Sequence, residues 1–199
     1  DYASRFLIQH LVACVRTSDG KAPVSVLEKA IRQVNRELYR EAVEKEELMG
    51  MGTTLVAATT EGKTLYVSNI GDSRLYLIRR KKAYQVTRDH SYVEEMVAAG
   101  RMIRGSQEYL SQKNIITRAA GMTERVEADF FEVDLEDGDK ILLCSDGLTN
   151  MVDNEKIAEI ASAGESLRQR VQRLVDQANE NGGRDNITVI LADYQEEVG

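Results

Sequence analysis

The stretch from 53 to 87, TTLVAATTEGKTLYVSNIGDSRLYLIRRKKAYQVT, leaves the chain few options. Apolar and polar residues alternate there, and the pattern breaks only at Glu61-Gly62, Gly71-Asp72 and Arg80 to Lys82. Breaks that short admit only tight turns, so three or four strands must fold back on one another. Before this stretch the period is helical. Phe6, Leu7, His10, Leu11 and Cys14 share one face of residues 3–15. Leu27, Ile31, Val34 and Leu38 repeat at helical spacing, and Ser25 with Glu28 predicts a capping box at that helix's start.

Beyond 87 the two periods alternate. Helices are expected at 91–101, 154–162 and 166–180, the last stopping at Asn181-Gly182-Gly183. Strands are expected at 115–118, 128–134, 140–145 and 187–193. Residues 102–114 carry Gly105 and no clear period, which predicts a mobile surface element. Helices first, strands next, then helices before a last strand predict an α+β fold of two antiparallel sheets flanked by helices. At 199 residues the chain can bury one sizeable core, and no break in composition divides it, so a single domain over 1–199 is expected.

Composition narrows the function. A net charge of −7 disfavours non-specific binding to nucleic acid. No apolar run approaches the length of a membrane span, and the first residues lack the pattern of a secretory leader. Cys14 and Cys144 read as reduced core residues, and the cytoplasm is the expected compartment. Two histidines, His10 and His90, offer little to a zinc site or a histidine-driven triad.

The chemistry gathers at two strand ends. In KILLCSDGLTNMV (140–152) a strand apolar on both faces gives out at Ser145, Asp146 and Gly147. In NENGGRDNITVILADY (179–194) a polar turn delivers Asp185 and Asn186 to the start of another strand. If the two strands are antiparallel neighbours, both carboxylates emerge at one edge of the sheet. Like charges so placed raise each other's proton affinity unless a cation lies between them, and oxygen ligands suit a hard divalent ion. The plainer reading is that each aspartate caps its own turn, as Asp-Gly and Asp-Asn commonly do.

Six segments together resemble the metal-dependent protein phosphatases of the protein phosphatase 2C type, particularly their compact bacterial members. In order they are MGTTLVAA (51–58), VSNIGDSRLYLIR (67–79), QVTRDHSYVEEMVAAG (85–100), NIITRAAG (114–121), GDKILLCSDGLTNMV (138–152) and GGRDNITVIL (182–191). The resemblance implies a four-layer α/β/β/α sandwich. It implies hydrolysis of phosphoserine and phosphothreonine in proteins by water activated between two Mg²⁺ or Mn²⁺ ions, with no covalent phosphoenzyme. Asp146 and Asp185 then hold one of the two catalytic ions, and Gly147 lets the backbone turn sharply beside it. Asp89 helps hold a third, weaker ion, while Asp72, Arg74 and Asn186 orient the site. His90 reads as a satisfied structural side chain, and 102–114 matches the family's variable flap.

The family's first block is not in this sequence. Its phosphate-gripping arginine, Glu-Asp pair and Asp-Gly-Met-Gly-Gly segment have no match, since MGMGTT at 49–54 lacks the aspartate. DYASRFLIQHLV resembles the helix that follows that block. The resemblance therefore implies missing N-terminal strands, one bound ion or none, impaired hydrolysis, and self-association through the exposed sheet. It implies phosphorylated proteins as partners, a cognate serine/threonine kinase among them, and neither nucleic acid nor membrane. The alternative function is a non-catalytic module of the same fold that binds a phosphoprotein or kinase.

Overall fold

The computed structural model describes residues 2–16 and 23–196. They gather into two compact units: Asp1–Leu55, Ser68–Asp72 and Asp89–Phe130 in the first, and Val56–Val67, Ser73–Arg88 and Phe131–Gly199 in the second.

Seven strands make two sheets among the described residues. β1 (Leu55–Glu61), β2 (Thr64–Ile70) and β5 (Asp129–Asp134) lie in the order β1-β2-β5. β3 (Arg74–Arg79), β4 (Lys82–Gln85), β6 (Lys140–Cys144) and β7 (Val189–Asp193) lie in the order β4-β3-β6-β7, antiparallel throughout. The expected fold class is the one adopted.

In the second unit the strands explain their own sequence. Along β3, Leu75 and Leu77 turn to one side and Tyr76 and Ile78 to the other, and none is more than 6% exposed. Leu75 and Leu77 join Leu65, Val67, Leu135 and Ile141 in a core shared by strands of both sheets. Tyr76 and Ile78 join Leu142 and Cys144 against α5 (Asp146–Thr149), α6 (Asn154–Ala161) and α7 (Leu167–Glu180), through Leu148, Ile157, Ile160 and Leu174. β6 is thus apolar on consecutive residues because it is covered on both faces. Asp153 and Ser166 cap α6 and α7, the latter through a capping box with Gln169.

The β3–β4 hairpin turns through Arg80 and Lys81, whose φ values are 52° and 61°. A type I′ turn needs this left-handed pair and ordinarily recruits Asn-Gly. Left-handed backbone costs an L-residue about 1–2 kcal/mol, of which the entropy of an introduced glycine returns roughly half. Lys81→Gly should therefore stabilise the protein by about 0.5–1 kcal/mol, seen as a thermal midpoint raised by roughly 2–4 °C. Lys81→Ala, which keeps the strain, should gain nothing.

In the first unit α1 (Tyr2–Arg16) and α2 (Pro23–Glu44) pack on each other. α2 buries Leu27, Ile31, Val34 and Leu38 as its spacing predicts. Ser25, expected as its cap, lies inside the helix, because Pro23 already takes helical geometry and a proline is tolerated in a first turn. On α1 only Ala3, Leu7 and Leu11 are buried, while Phe6 and His10 stack on each other at 3.9 Å between ring centroids, partly exposed.

The segment 102–114 is more ordered than its composition suggests. α4 (Gln107–Gln112) is capped by Ser106, which accepts from the Tyr109 amide, and follows α3 (Tyr92–Ala98). Tyr109 donates to Glu94 at 2.6 Å, and Arg104 pairs with the same carboxylate. The strand expected at 115–118 is only an isolated bridge between Ser91 and Ile116. Among the described residues no helix is long and apolar enough to cross a membrane.

Candidate active site

β6 and β7 are antiparallel neighbours, with Cys144 opposite Val189. The end of one and the approach to the other therefore leave the sheet together. Ser145 sews them. Its amide donates to Thr188 O at 3.1 Å, its Oγ donates to Asn186 O at 3.0 Å, and the same Oγ accepts from the Thr188 amide at 3.0 Å. Asp146 then opens α5, and Asn150, one turn on, donates from Nδ2 to Asp146 Oδ2 at 3.0 Å.

Gly147 has a tighter reason to be glycine than the turn expected of it. Its φ is unremarkable, but a Cβ there would sit 2.3 Å from Asn186 O and 2.9 Å from Asn186 C. The start of α5 rests directly on the backbone that carries Asp185 and Asn186. That contact brings the two aspartates within electrostatic reach.

Asp146 has its proton affinity raised, first by burial and then by the charge of Asp185. The Gly147 amide, Arg74 and Asn150 oppose the rise without cancelling it. Arg74 can act there because β3 starts opposite the end of β6, Arg74 facing Cys144. Asp185 is exposed, and one of its carboxylate oxygens accepts the Asn186 amide at 2.7 Å. The second unit thus gathers Asp146, Gly147, Arg74, Asp185 and Asn186.

Asp72 and Asp89 belong to the first unit, where Gly71 and His90 clasp each other. The His90 amide donates to Gly71 O at 2.9 Å, and the Gly71 amide donates to His90 Nδ1 at 3.0 Å. Asp89 is buried beside this clasp and Asp72 half-buried. His90 is fully engaged, as a structural histidine should be: its Nε2 lies 3.1 Å from Asp129 Oδ2, and Arg118 donates to Asp129 Oδ1 at 3.0 Å. Burial works against the Asp129 charge, but His90 and Arg118 outweigh it and hold its pKa below the ordinary carboxylate value.

The sequence assigns no role to Ser145, Asn150, Asp129, Arg118 or Asn35. Asn150 was legible, since it stands four residues after Asp146 on a helix. Asn35 is buried on α2, accepts the Gly121 amide at 2.8 Å and donates to Thr123 O and Glu124 O. A buried asparagine on an amphipathic helix carries no local sign of partners some 86 residues away.

Two carboxylates that repel each other at a sheet rim, with oxygen donors only, suit a hard divalent cation. Among the described residues no group of three or more His, Cys, Asp or Glu side chains lies at metal-holding spacing. Asp146 and Asp185 supply a pair.

Comparison with known proteins agrees with this architecture. The family model "Protein phosphatase 2C" matches residues 2–187. The serine/threonine phosphatase stp of Listeria innocua is 41% identical over 167 residues, which are 84% of this chain and 66% of that protein. The chain thus spans just under two thirds of that relative's length. The crystal structure of serine/threonine phosphatase Stp1 from Staphylococcus aureus superposes with a TM-score of 0.91 at 32% identity, over 98% of this chain and 78% of Stp1. The catalytic domain of PstP, solved in complex with two manganese ions, gives 0.85 at 33% identity, over 96% of this chain and 80% of PstP. The chain belongs to the protein phosphatase 2C family.

Proposed function

We propose that the protein is a serine/threonine phosphatase that hydrolyses phosphoserine and phosphothreonine in other proteins, and that Asp146 and Asp185 hold Mn²⁺ or Mg²⁺ at its reacting centre. The observation that carries this reading is the approach of those two side chains at the β6–β7 rim, where burial and the charge of Asp185 together raise the proton affinity of Asp146. When bound, the cation supplies positive charge against the phosphoryl oxygens and makes water more acidic.

The chain's own residues have separate tasks. Asp146 and Asp185 offer carboxylate oxygens from the same end of the strand pair, one just after β6 and the other just before β7. Asn150 fixes the rotation of the Asp146 carboxylate through its 3.0 Å bond. Arg74 offsets part of the negative charge, and Ser145 with Gly147 sets the spacing of the two backbones. Within the first unit, Asp89 is assigned to a further, weaker cation and Asp72 to a supporting position. The relatives are named as serine/threonine phosphatases of bacteria, and we propose in addition that this enzyme is cytoplasmic and opposes a serine/threonine kinase.

The test is phosphate release from a phosphothreonine peptide by the protein expressed from its whole coding sequence, stripped of metal and titrated with Mn²⁺. Saturable, Mn²⁺-dependent release is expected. Release that ignores Mn²⁺, or no release together with no Mn²⁺-induced rise in melting temperature, overturns the reading.

A further inference from the structure

His90 does more than fill a buried position. Only 5% of it is exposed, and it joins three stretches of chain that are far apart in sequence. It exchanges two hydrogen bonds with Gly71, its carbonyl accepts the Thr117 amide at 2.8 Å, and its Nε2 faces Asp129 at 3.1 Å. Because Nδ1 accepts the Gly71 amide, the ring proton must sit on Nε2, toward Asp129. Arg118 Nη1 lies 3.3 Å from that same Nε2, and both are donors. Asp129 resolves this conflict by taking one donor on each oxygen.

The turn held by this clasp has little freedom of its own. Gly71 sits at φ 98°, and a Cβ there would lie 2.4 Å from Thr54 Cγ2. Asn69 Nδ2 adds a bond to Gly71 O at 3.2 Å. The residue after Gly71 is Asp72 and the residue before His90 is Asp89. Clasping Gly71 to His90 therefore sets the mutual position of the two backbone segments that carry those acids.

We infer that Asp129 and His90 are a positioning pair: Asp129 holds the imidazole with its proton on Nε2, so that Nδ1 keeps the Gly71 amide and the segments carrying Asp72 and Asp89 stay in register. The inference rests on the phosphatase reading only for the further, weaker cation that Asp89 is there assigned to hold, with Asp72 supporting it within the same unit. Outer groups that orient metal ligands typically change metal affinity about 10–100-fold when removed, and the clasp acts on Asp72 and Asp89 through their backbone.

Two measurements separate this pair from an ordinary core histidine. In the ¹⁵N-labelled chain, the long-range ¹H–¹⁵N pattern of His90 should report a single Nε2–H tautomer, and Asp129→Ala should convert it to a mixture. In the protein expressed from its whole coding sequence, Asp129→Ala and His90→Ala should raise the half-saturating Mn²⁺ about tenfold, with kcat at saturating Mn²⁺ and KM for p-nitrophenyl phosphate within about twofold. His90→Asn places an amide oxygen where Nδ1 was, so it should keep the clasp and recover most of the Mn²⁺ affinity lost in His90→Ala. A tautomer unchanged in Asp129→Ala overturns the pair, as does unchanged Mn²⁺ dependence in His90→Ala. A parent protein with no Mn²⁺-dependent release overturns the phosphatase reading instead, and the tautomer then decides the pair by itself.

Discussion

Replacing Asp146 by asparagine should cut Mn²⁺-dependent phosphate release about a thousandfold or more, yet leave the metal-free protein at least as stable as the parent. The two halves of this expectation share one cause. Asp146 is pushed toward its protonated form by burial and by Asp185, so its charge is a burden on the fold. Asparagine removes the charge and keeps an oxygen able to accept the Asn150 bond. The metal-free melting temperature should therefore be equal to or above that of the parent. What is lost is a carboxylate for the cation, and several kcal/mol of charge stabilisation with it.

The sign of the pH dependence follows from the same raised pKa. Between the unfolded and folded pKa values of Asp146 the native chain holds more protons than the unfolded one. Stability contributed by this group therefore falls as pH rises through that window, and the burden is fully present above it. In the parent, Mn²⁺ at about a hundred times its Kd should add roughly 2.7 kcal/mol at neutral pH. In Asp146→Asn that increment should vanish, and so should this group's share of the acid-side slope. A metal-free Asp146→Asn protein less stable than the parent would show that the hydrogen bonds of Asp146 outweigh its charge. A retained Mn²⁺ increment would remove the carboxylate pair from the cation site altogether.

How far the sequence revealed this arrangement depends on how local each cause was. β6 was legible because a strand covered on both faces writes its burial into consecutive residues, and the hairpins because their turns are two residues long. The rim is legible because two strand ends each carry an aspartate and the strands are neighbours. The misreadings share a different physics. Ile115 and Ile116 looked like strand, but they find only the Ser91 bridge and stay exposed. α4 spans six residues, too few for a helical period to show, and only Ser106 announces it. Asp129 and Arg118 stood outside every motif-based role because their partner, His90, is 28 residues or more away. At Gly147 the Asp-Gly pair announces a sharp turn, whereas the need for glycine is proximity to a backbone 39 residues on.

That proximity gives the second large expected effect, from the smallest change available. In Gly147→Ala the new methyl would meet Asn186 O at 2.3 Å and Asn186 C at 2.9 Å, and Asp185 O at 3.4 Å. None of these atoms belongs to a side chain that can swing away. The Asn186 carbonyl is already fixed by Ser145 Oγ, and Thr188 is tied to the same hydroxyl. Either the start of α5 or the segment 185–188 must shift, by about 1 Å to reach ordinary contact, and each carries one of the two acids. Overpacking of this kind costs roughly 1–3 kcal/mol, so the melting temperature should drop by about 5–10 °C. Displacement of that size at a reacting centre typically costs about 10²-fold in rate, which phosphate release at saturating Mn²⁺ would read. Gly164→Ala is the control, since a Cβ there meets nothing within 4 Å. It should leave both quantities unchanged. Should Gly147→Ala also melt and turn over like the parent, the backbone contact would be yielding rather than fixed, and the spacing of Asp146 from Asp185 would have to be set by the Ser145 bonds alone.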